Sequence, residues 1–298
     1  MGLDLKGIKI AVIGGDQRQL FLIPELVRLG ADVTAVGFLP CPGLSQVQLH
    51  GTLEAALKDA HVLILPVQGT DPEGRIKTLD GNCSLTFTSE IAKTIPAGTL
   101  VIIGSAREIL RNRAIEYGWK LIEIADLDEV AILNAIPSAE GALQIAMEQL
   151  PITIHNSKSF VLGFGRLGKT LARMLQGIGA QTTVVARGRA DLARIFEMGY
   201  RPVSFAELPQ VISEAEIIFN TVPALILDEQ MLSLLQKDAL IIDLASHPGG
   251  TDFAAAKKLG IQAILAPGLP GKVAPKTSGK ILARVIPQLI LRELSRIG

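Results

Sequence analysis

Short apolar runs alternate with longer segments of helical periodicity along the whole chain, and this alternation predicts an α/β protein. The apolar runs are rich in Val, Ile and Leu and lie at 9–13, 32–36, 61–66, 99–104 and 119–124, and again at 159–162, 182–186, 217–221, 240–244 and 263–265. Because they contain few polar residues, both faces of each strand are expected to be buried, as in parallel sheets. The pattern predicts two doubly wound, Rossmann-like parallel sheets, with a cleft between the two domains as the expected site.

The segment 134–141 separates the two halves of the pattern. Pro137 followed by Ser138 predicts the start of a connector helix over 137–149, with Ser138 as its cap. A last helix near 278–296 contains Pro287, which is expected to kink or split it. Because such a terminal helix often returns to the first domain, we expect one domain from 1–135 plus 278–298 and a second from 136–277.

A glycine motif, Gly163-x-Gly165-x-x-Gly168, directly follows an apolar strand and opens an amphipathic helix. In a dinucleotide site the first glycine allows the tight turn, the second admits the pyrophosphate, and the third lets the helix pack close to the strand. The helix N-terminus adds free N–H groups for the phosphates. The alternative is a glycine-rich turn without a ligand. We expect a cofactor cradle formed by Gly163, Phe164, Gly165, Arg166, Leu167 and Gly168.

Positive charge follows the second strand of this half. An NAD site usually places Asp or Glu there for the ribose 2′-hydroxyl, and neither occurs between 182 and 189. Arg187 could instead hold a 2′-phosphate with its planar fork of donors, assisted by Arg189. The alternative is two solvated loop arginines. The missing carboxylate and the added charge together predict NADP as the cofactor.

Composition narrows the function classes. The chain has 298 residues and a net charge of zero, from 29 Lys plus Arg and 29 Asp plus Glu, so we expect neither a nucleic-acid nor a membrane partner. No apolar run reaches the about 18–20 residues that span a bilayer, and the N-terminus lacks a signal-peptide layout, which predicts a cytoplasmic protein. Cys41 and Cys83 lie in predicted loops, and the histidines lack metal-ligand spacing. Neither a disulfide framework nor a metal site is expected.

Six blocks of sequence resemble the A subunit of dipicolinate synthase from spore-forming bacteria. They lie at 13–19, 134–141, 162–168, 220–223, 243–253 and 265–279, and the last two are far more specific than the glycine motif. The resemblance implies NADP-dependent oxidation of a dihydrodipicolinate to dipicolinate during sporulation, in a branch of the lysine pathway. It also implies a partner, the separate B subunit of that enzyme. The residues alone indicate an NADP-linked dehydrogenase. The two-domain plan is also similar to that of alanine dehydrogenases.

The implied reaction leaves an aromatic ring, so the protein mainly has to align that ring and hold its two carboxylates. The first domain is assigned to the substrate because Gly14-Gly15 lacks a third correctly spaced glycine. Arg18 follows at the carboxyl end of the first strand, where ligands bind in α/β sheets, and is a candidate clamp. A surface arginine at a helix start is equally consistent with the pattern. Ser138 could donate to a carboxylate, or it could serve only as a helix cap.

Two strand ends in the second domain are expected beside the nicotinamide. Thr221, Val222 and Pro223 close its fourth strand, and Ala245 and Ser246 close its fifth. His247 comes next and is the candidate general base, with an ordinary loop histidine as the alternative. The family that the chain resembles carries Arg at this place, which makes anion binding an equally plausible role for His247.

Two other functions remain open at this point: another small-acid dehydrogenase of alanine dehydrogenase-like architecture, and a non-catalytic NADP-sensing module. The elaborate loops around His247 and 267–276 weigh against a sensor, which needs only the phosphate cradle. Edge strands and the apolar terminal helix would suit a homo-oligomer.

Overall fold

The computed structural model describes residues 3–81 and 85–295, and Cys83 lies outside them. The chain divides into two compact units, one formed by Met1–Leu133 with Ala274–Gly298 and the other by Asn134–Val273. Each unit contains a six-stranded sheet whose strand pairs are all parallel. The predicted α/β class with two Rossmann-like sheets is therefore confirmed.

The first unit contains eight strands among its described residues: β1 (Lys9–Ile13), β2 (Asp32–Val36), β3 (Gln48–His50), β4 (Val62–Ile64), β5 (Arg75–Ile76), β6 (Leu85–Thr86), β7 (Leu100–Ile103) and β8 (Lys120–Glu123). Its sheet has the order β3-β2-β1-β4-β7-β8, and β5 pairs with β6 separately as an antiparallel ribbon. The helices that follow in the chain are α1 (Gln19–Arg28), α2 (Leu53–Leu57), α3 (Ser89–Thr94), α4 (Glu108–Glu116) and α5 (Asp128–Gln149). The strand order reverses between β1 and β4, where ligands bind in such sheets.

The second unit repeats this plan with β9 (Lys158–Leu162), β10 (Gln181–Ala186), β11 (Arg201–Ser204), β12 (Ile217–Asn220), β13 (Leu240–Asp243) and β14 (Gln262–Leu265). The order is β11-β10-β9-β12-β13-β14, so the reversal lies between β9 and β12. The remaining helices are α6 (Arg166–Ile178), α7 (Arg189–Glu197), α8 (Leu208–Val211), α9 (Glu229–Leu232), α10 (Phe253–Leu259), α11 (Leu269–Val273) and α12 (Pro275–Leu294).

The predicted connector-helix start at Pro137 is wrong. The helix α5 begins nine residues earlier, at Asp128, and contains Pro137 in its interior, so Ser138 is not its cap. Asp128 and Glu129 give the first turn two carboxylates that favour a helix N-terminus. α5 is the one helix among the described residues with the length and hydropathy of a membrane span, but 44% of its most apolar stretch is buried within the protein, as in core helices.

The last helix, α12, belongs to the first unit. It begins at Pro275 and continues without a break through Pro287. Its contact with α1 is close, since a Cβ added to Gly279 would lie 2.6 Å from the carbonyl oxygen of Arg18. The Lys120 ammonium also lies 2.6 Å from the buried Glu293 carboxylate. Five of its apolar side chains are buried in one core with β1, β4 and α1: Leu282, Val285, Ile286, Leu289 and Ile290.

Candidate functional site

The glycine turn after β9 has the geometry of a dinucleotide cradle. Gly163 has a φ of +100°, and a Cβ there would lie 2.5 Å from the Thr221 hydroxyl oxygen. A Cβ on Gly168 would overlap the Gly163 carbonyl oxygen, so this glycine permits α6 to pack against the turn. Gly165 is different, because nothing lies within 4 Å of the place a Cβ would take. The structure leaves room for a diphosphate at the helix N-terminus.

The side chains between these glycines have different environments. Phe164 is buried in the core, and the Lys169 ammonium lies 5.0 Å from its ring centroid. Leu167 packs against the same core, whereas Arg166 is exposed at the first residue of α6. Phe164 and Leu167 can therefore meet a cofactor mainly through their backbone.

Arg187 and Arg189 lie where the second strand of this unit ends. Both are exposed, and neither makes a hydrogen bond or ion pair within residues 3–81 and 85–295. Arg189 is the first residue of α7, and the nearby Asp191 lies in the first turn of that helix, where a carboxylate stabilises the helix dipole. The two guanidinium groups are therefore available to an anionic ligand.

A buried carboxylate joins the two loops that follow β12 and β13. One Asp243 oxygen, Oδ1, accepts hydrogen bonds from the Asn220 side chain and the Ala245 N–H, both at 3.0 Å. The other, Oδ2, accepts the Gly250 N–H at 3.0 Å. Asn220 in turn bonds both backbone groups of Val222 at 3.1 Å. No role was expected for Asn220 and Asp243 from the sequence, although polar residues that end fully apolar strands are a signal for one.

This network fixes the backbone of the predicted nicotinamide loops. Thr221 donates its hydroxyl to the Leu162 carbonyl at 2.8 Å, which ties the fourth strand end to the glycine turn. A Cβ on Gly250 would lie 2.6 Å from the Val222 carbonyl oxygen, so the two loops approach closely only because this residue is glycine. Pro223 follows in the same loop, and Ser246 is exposed beside the buried Ala245.

His247 is exposed on the second of these loops and makes no hydrogen bond to any described residue. The side chain that would fix its tautomer, as an orienting carboxylate does for many catalytic histidines, is therefore not present among the described residues. Its role as general base stays a prediction. Ser138 is half-buried within α5, in the same unit as His247 and in the other unit from Arg18.

The corresponding glycine turn of the first unit is covered by the chain itself. The Gly15 N–H donates to the Lys77 carbonyl at 2.7 Å, and a Cβ on Gly14 would lie 2.5 Å from that oxygen. The end of β2 is covered too, since Leu79 N–H donates to Gly37 at 2.9 Å. Segment 75–79 therefore lies against the positions that a dinucleotide would use in this fold. This explains in physical terms why the second unit, and not the first, is the open dinucleotide site.

Arg18 is buried, and most of its guanidinium is committed within the protein. Its Nε and Nη2 donate to the two carboxylate oxygens of Asp16 at 2.9 and 2.7 Å, and Nη2 also donates to Gln68 Oε1 at 3.1 Å. Burial raises the pKa of Asp16, but the hydrogen bonds and charge of Arg18, with a smaller contribution from the Lys77 charge, hold that pKa below its usual value. Nη1 makes no hydrogen bond within the described chain.

Metal ligands do not cluster in the described part of the chain: it contains no group of three or more His, Cys, Asp or Glu that could hold a metal ion.

Two families match the two halves of the chain. The family described as the N-terminal domain of the dipicolinate synthase A subunit matches residues 9–125. The family described as D-isomer specific 2-hydroxyacid dehydrogenase, NAD binding domain, matches residues 139–248. The second match covers the glycine cradle, so this half is a nicotinamide-dinucleotide-binding domain and the protein is an oxidoreductase.

Similarity to individual proteins extends over nearly the whole chain. The dipicolinate synthase A subunit of Bacillus subtilis (strain 168) is 42% identical over 287 residues, covering 96% of this chain and 97% of that protein. The crystal structure of the dipicolinate synthase A subunit from Bacillus halodurans superposes with a TM-score of 0.92 at 37% identity, covering 96% and 98% of the two chains. An L-alanine dehydrogenase shares the fold, with a TM-score of 0.66 at 12% identity over 97% of this chain and 90% of its own.

Proposed function

Because the chain belongs to the family of dipicolinate synthase A subunits, we propose that it oxidises dihydrodipicolinate to dipicolinate with NADP as the hydride acceptor. The observation that carries this proposal is the combination of family membership over nearly the full length with one open glycine cradle, in the second unit. We further propose that it works with a B subunit in the cytoplasm of a sporulating cell, as the name of its relatives implies.

The second unit would hold the cofactor. The free space beside Gly165 suits the diphosphate, and the exposed Arg187 and Arg189 suit a 2′-phosphate. The nicotinamide, when bound, supplies the acceptor for the hydride. The loops carrying Thr221–Pro223 and Ala245–His247 are fixed by Asn220 and Asp243, so they offer a rigid edge for that end of the cofactor.

The chain's remaining task is to hold the substrate and move one proton. Arg18 and Ser138 are our candidates for the substrate carboxylates, and Arg18 keeps Nη1 free of hydrogen bonds within the described chain. Loss of hydride from a ring carbon and of a proton from a neighbouring atom produces the aromatic ring. His247 is the candidate to accept the proton, directly or through water.

A coupled assay tests the proposal. Freshly generated dihydrodipicolinate and NADP are supplied to the chain alone and then together with the candidate B subunit, and NADPH and dipicolinate are followed at the same time. Equal yields of the two products support the proposed oxidation. Absence of NADPH in both assays, from protein shown to bind NADP, contradicts it and favours an NADP sensor or another small-acid dehydrogenase.

Arg187 provides a test of cofactor preference. Replacing it with Ala should weaken NADPH binding by about 10–100-fold, the value of a charge-assisted hydrogen bond of about 1.5–3 kcal/mol, and should change NADH binding by less than about twofold. Dissociation constants from the quenching of protein fluorescence measure both. Arg194→Ala is the matched control, because Arg194 is exposed in the same helix region and pairs with Glu197 at 2.8 Å. Equal losses for NADPH and NADH would overturn the 2′-phosphate assignment.

A further inference from the structure

The first unit contains a cavity of about 550 Å³ beside the covered glycine turn. Its walls come from two stretches, 68–71 after β4 and 75–78 around β5, which include Gln68, Thr70, Arg75 and Lys77. Sites for small molecules usually have about 300–1,000 Å³. The cavity therefore has the size for a six-membered ring with two carboxylates, and it lies at the carboxyl edge of the sheet, where α/β proteins bind ligands.

The two cations in the cavity wall have different surroundings. Arg75 already faces two carboxylates, Asp71 at 2.6 Å and Glu73 at 2.9 Å. Lys77 is exposed, and its ammonium makes no hydrogen bond or ion pair with any described residue. Lys77 therefore keeps its positive charge for a ligand, and this charge already acts on the neighbouring Asp16.

Gln68 adds a second donor whose direction is fixed. Its Oε1 accepts a hydrogen bond from Arg18 Nη2 at 3.1 Å. Because a guanidinium has donors only, the amide must turn its oxygen toward Arg18, which leaves its NH₂ group for a ligand. An amide NH₂ together with an ammonium selects an acceptor with negative charge, such as a carboxylate.

The cavity walls are held in place by contacts within the unit. Arg107 Nε donates to the Thr70 carbonyl at 2.9 Å, and a Cβ on Gly69 would lie 2.6 Å from the Ser105 carbonyl oxygen. The opposite wall is fixed where the Lys77 carbonyl accepts the Gly15 N–H at 2.7 Å. A ligand would therefore meet backbone that is already ordered, which reduces the entropic cost of binding.

We propose that this cavity binds one carboxylate of the dicarboxylate substrate through the Lys77 ammonium and the Gln68 amide, with Arg18 positioning Gln68. The proposal rests on the proposed function for the identity of the substrate. It adds two residues, Lys77 and Gln68, that were not selected from the sequence, and it locates the substrate side of the reaction in the first unit.

Equilibrium binding of dipicolinate, measured by isothermal titration calorimetry on the full chain with and without NADP, tests the proposal. Lys77→Ala should weaken dipicolinate binding at least about tenfold, as expected for a hydrogen bond to a charged group. Pyridine-2-carboxylate, which has one carboxylate, should lose its affinity disadvantage relative to dipicolinate in this variant. Lys77→Arg should retain most of the binding. Lys93→Ala, which removes another exposed lysine of the same unit, is the matched control and should bind like the original chain.

The steady-state assay separates failure of this proposal from failure of the proposed function. Turnover with an unchanged KM for dihydrodipicolinate and unchanged dipicolinate binding in Lys77→Ala overturns the Lys77 site and leaves the oxidation intact. Absence of turnover by the original chain and its B subunit overturns the oxidation, whereas selective loss of dipicolinate binding in Lys77→Ala still supports a dicarboxylate site. Absence of dipicolinate binding by the original chain overturns the site. Melting temperatures show that each variant is folded.

Discussion

The paired charges of Asp16 and Arg18 are shielded from solvent at the end of β1, so each depends on the other. Burial raises the pKa of Asp16, and Arg18 and Lys77 together lower it below the ordinary 3.8. A carboxyl whose pKa is lower in the folded state contributes stability that is fully present above its unfolded pKa. That contribution is lost as the pH falls through the folded pKa.

The first prediction concerns Asp16→Asn, which leaves Arg18 without its carboxylate. The free energy of unfolding at pH 7 should fall by about 1–3 kcal/mol, the usual penalty for an unsatisfied buried group. The difference from the original chain should narrow as the pH drops below about 3.8, because Asp16 then becomes protonated in both states. Urea unfolding from pH 7 to 3 measures this, with Asp238→Asn as the control for removing an exposed carboxylate. A constant difference at all these pH values would contradict the prediction.

Residue types at strand ends indicated where the site would lie, but they could not show what each residue contacts. Arg18 was selected for its charge, yet most of its guanidinium is bound to Asp16 and to Gln68, which lies 50 positions away. Asp243 and Asn220 meet across 23 positions, because β12 and β13 are neighbours in the sheet. Such pairings depend on strand order and loop paths, which are tertiary properties.

At the scale of elements, the glycine turn and α6 permit a test that separates packing from ligand binding. Gly165→Ala should leave the melting temperature nearly unchanged, because its Cβ meets nothing within 4 Å and its φ of −82° suits any residue. The same methyl group should obstruct the diphosphate and weaken NADPH binding at least about tenfold.

Gly168→Ala should behave differently, because its Cβ would overlap the Gly163 carbonyl oxygen and push α6 off the strand. We expect a stability loss of about 1–3 kcal/mol together with weaker NADPH binding. Gly177→Ala is the control: its Cβ meets nothing within 4 Å, and a Gly-to-Ala change inside a helix should stabilise by up to about 1 kcal/mol. Thermal unfolding and fluorescence titration measure the three variants. A destabilised Gly165→Ala would show that this glycine is needed for packing.

The elements that the sequence predicted well are those whose residues are buried on both faces. The runs at 9–13 and 32–36 coincide with β1 and β2, and the other predicted strands differ from the structure by one or two residues at an end. The strands β3 and β11 were not predicted, since Gln48–His50 and Arg201–Ser204 are short and mostly polar edge strands. The start of α5 was misplaced because proline inside a helix can be tolerated when its neighbours hold the helix in place.

On the scale of the whole molecule, α12 connects the end of the described chain to the core of the first unit. Its five buried apolar residues belong to that core, whereas the two cores of the second unit contain no residue of α12. The first unit is therefore built from two separate stretches of chain, and the second unit from one.

Removal of residues 275–298 should unfold the first unit, because the exposed core would lose five large side chains at about 1.5–3 kcal/mol each. The second unit should remain folded and bind NADPH within about threefold of the original affinity. Limited proteolysis with mass spectrometry identifies the protected fragment, and fluorescence titration measures the affinity. Loss of NADPH binding, or cleavage throughout 134–273, would show that the second unit depends on the first.

Segment 75–79, which lies over Gly14, Gly15 and Gly37, acts toward the first sheet as a tethered competitor. A group attached to the same chain stands at an effective concentration on the order of millimolar or higher. A dinucleotide in solution would have to displace it at that concentration, and would also lose the Gly15 N–H that the segment already engages. Two similar frameworks can therefore follow each other in one polypeptide without competing for the same coenzyme.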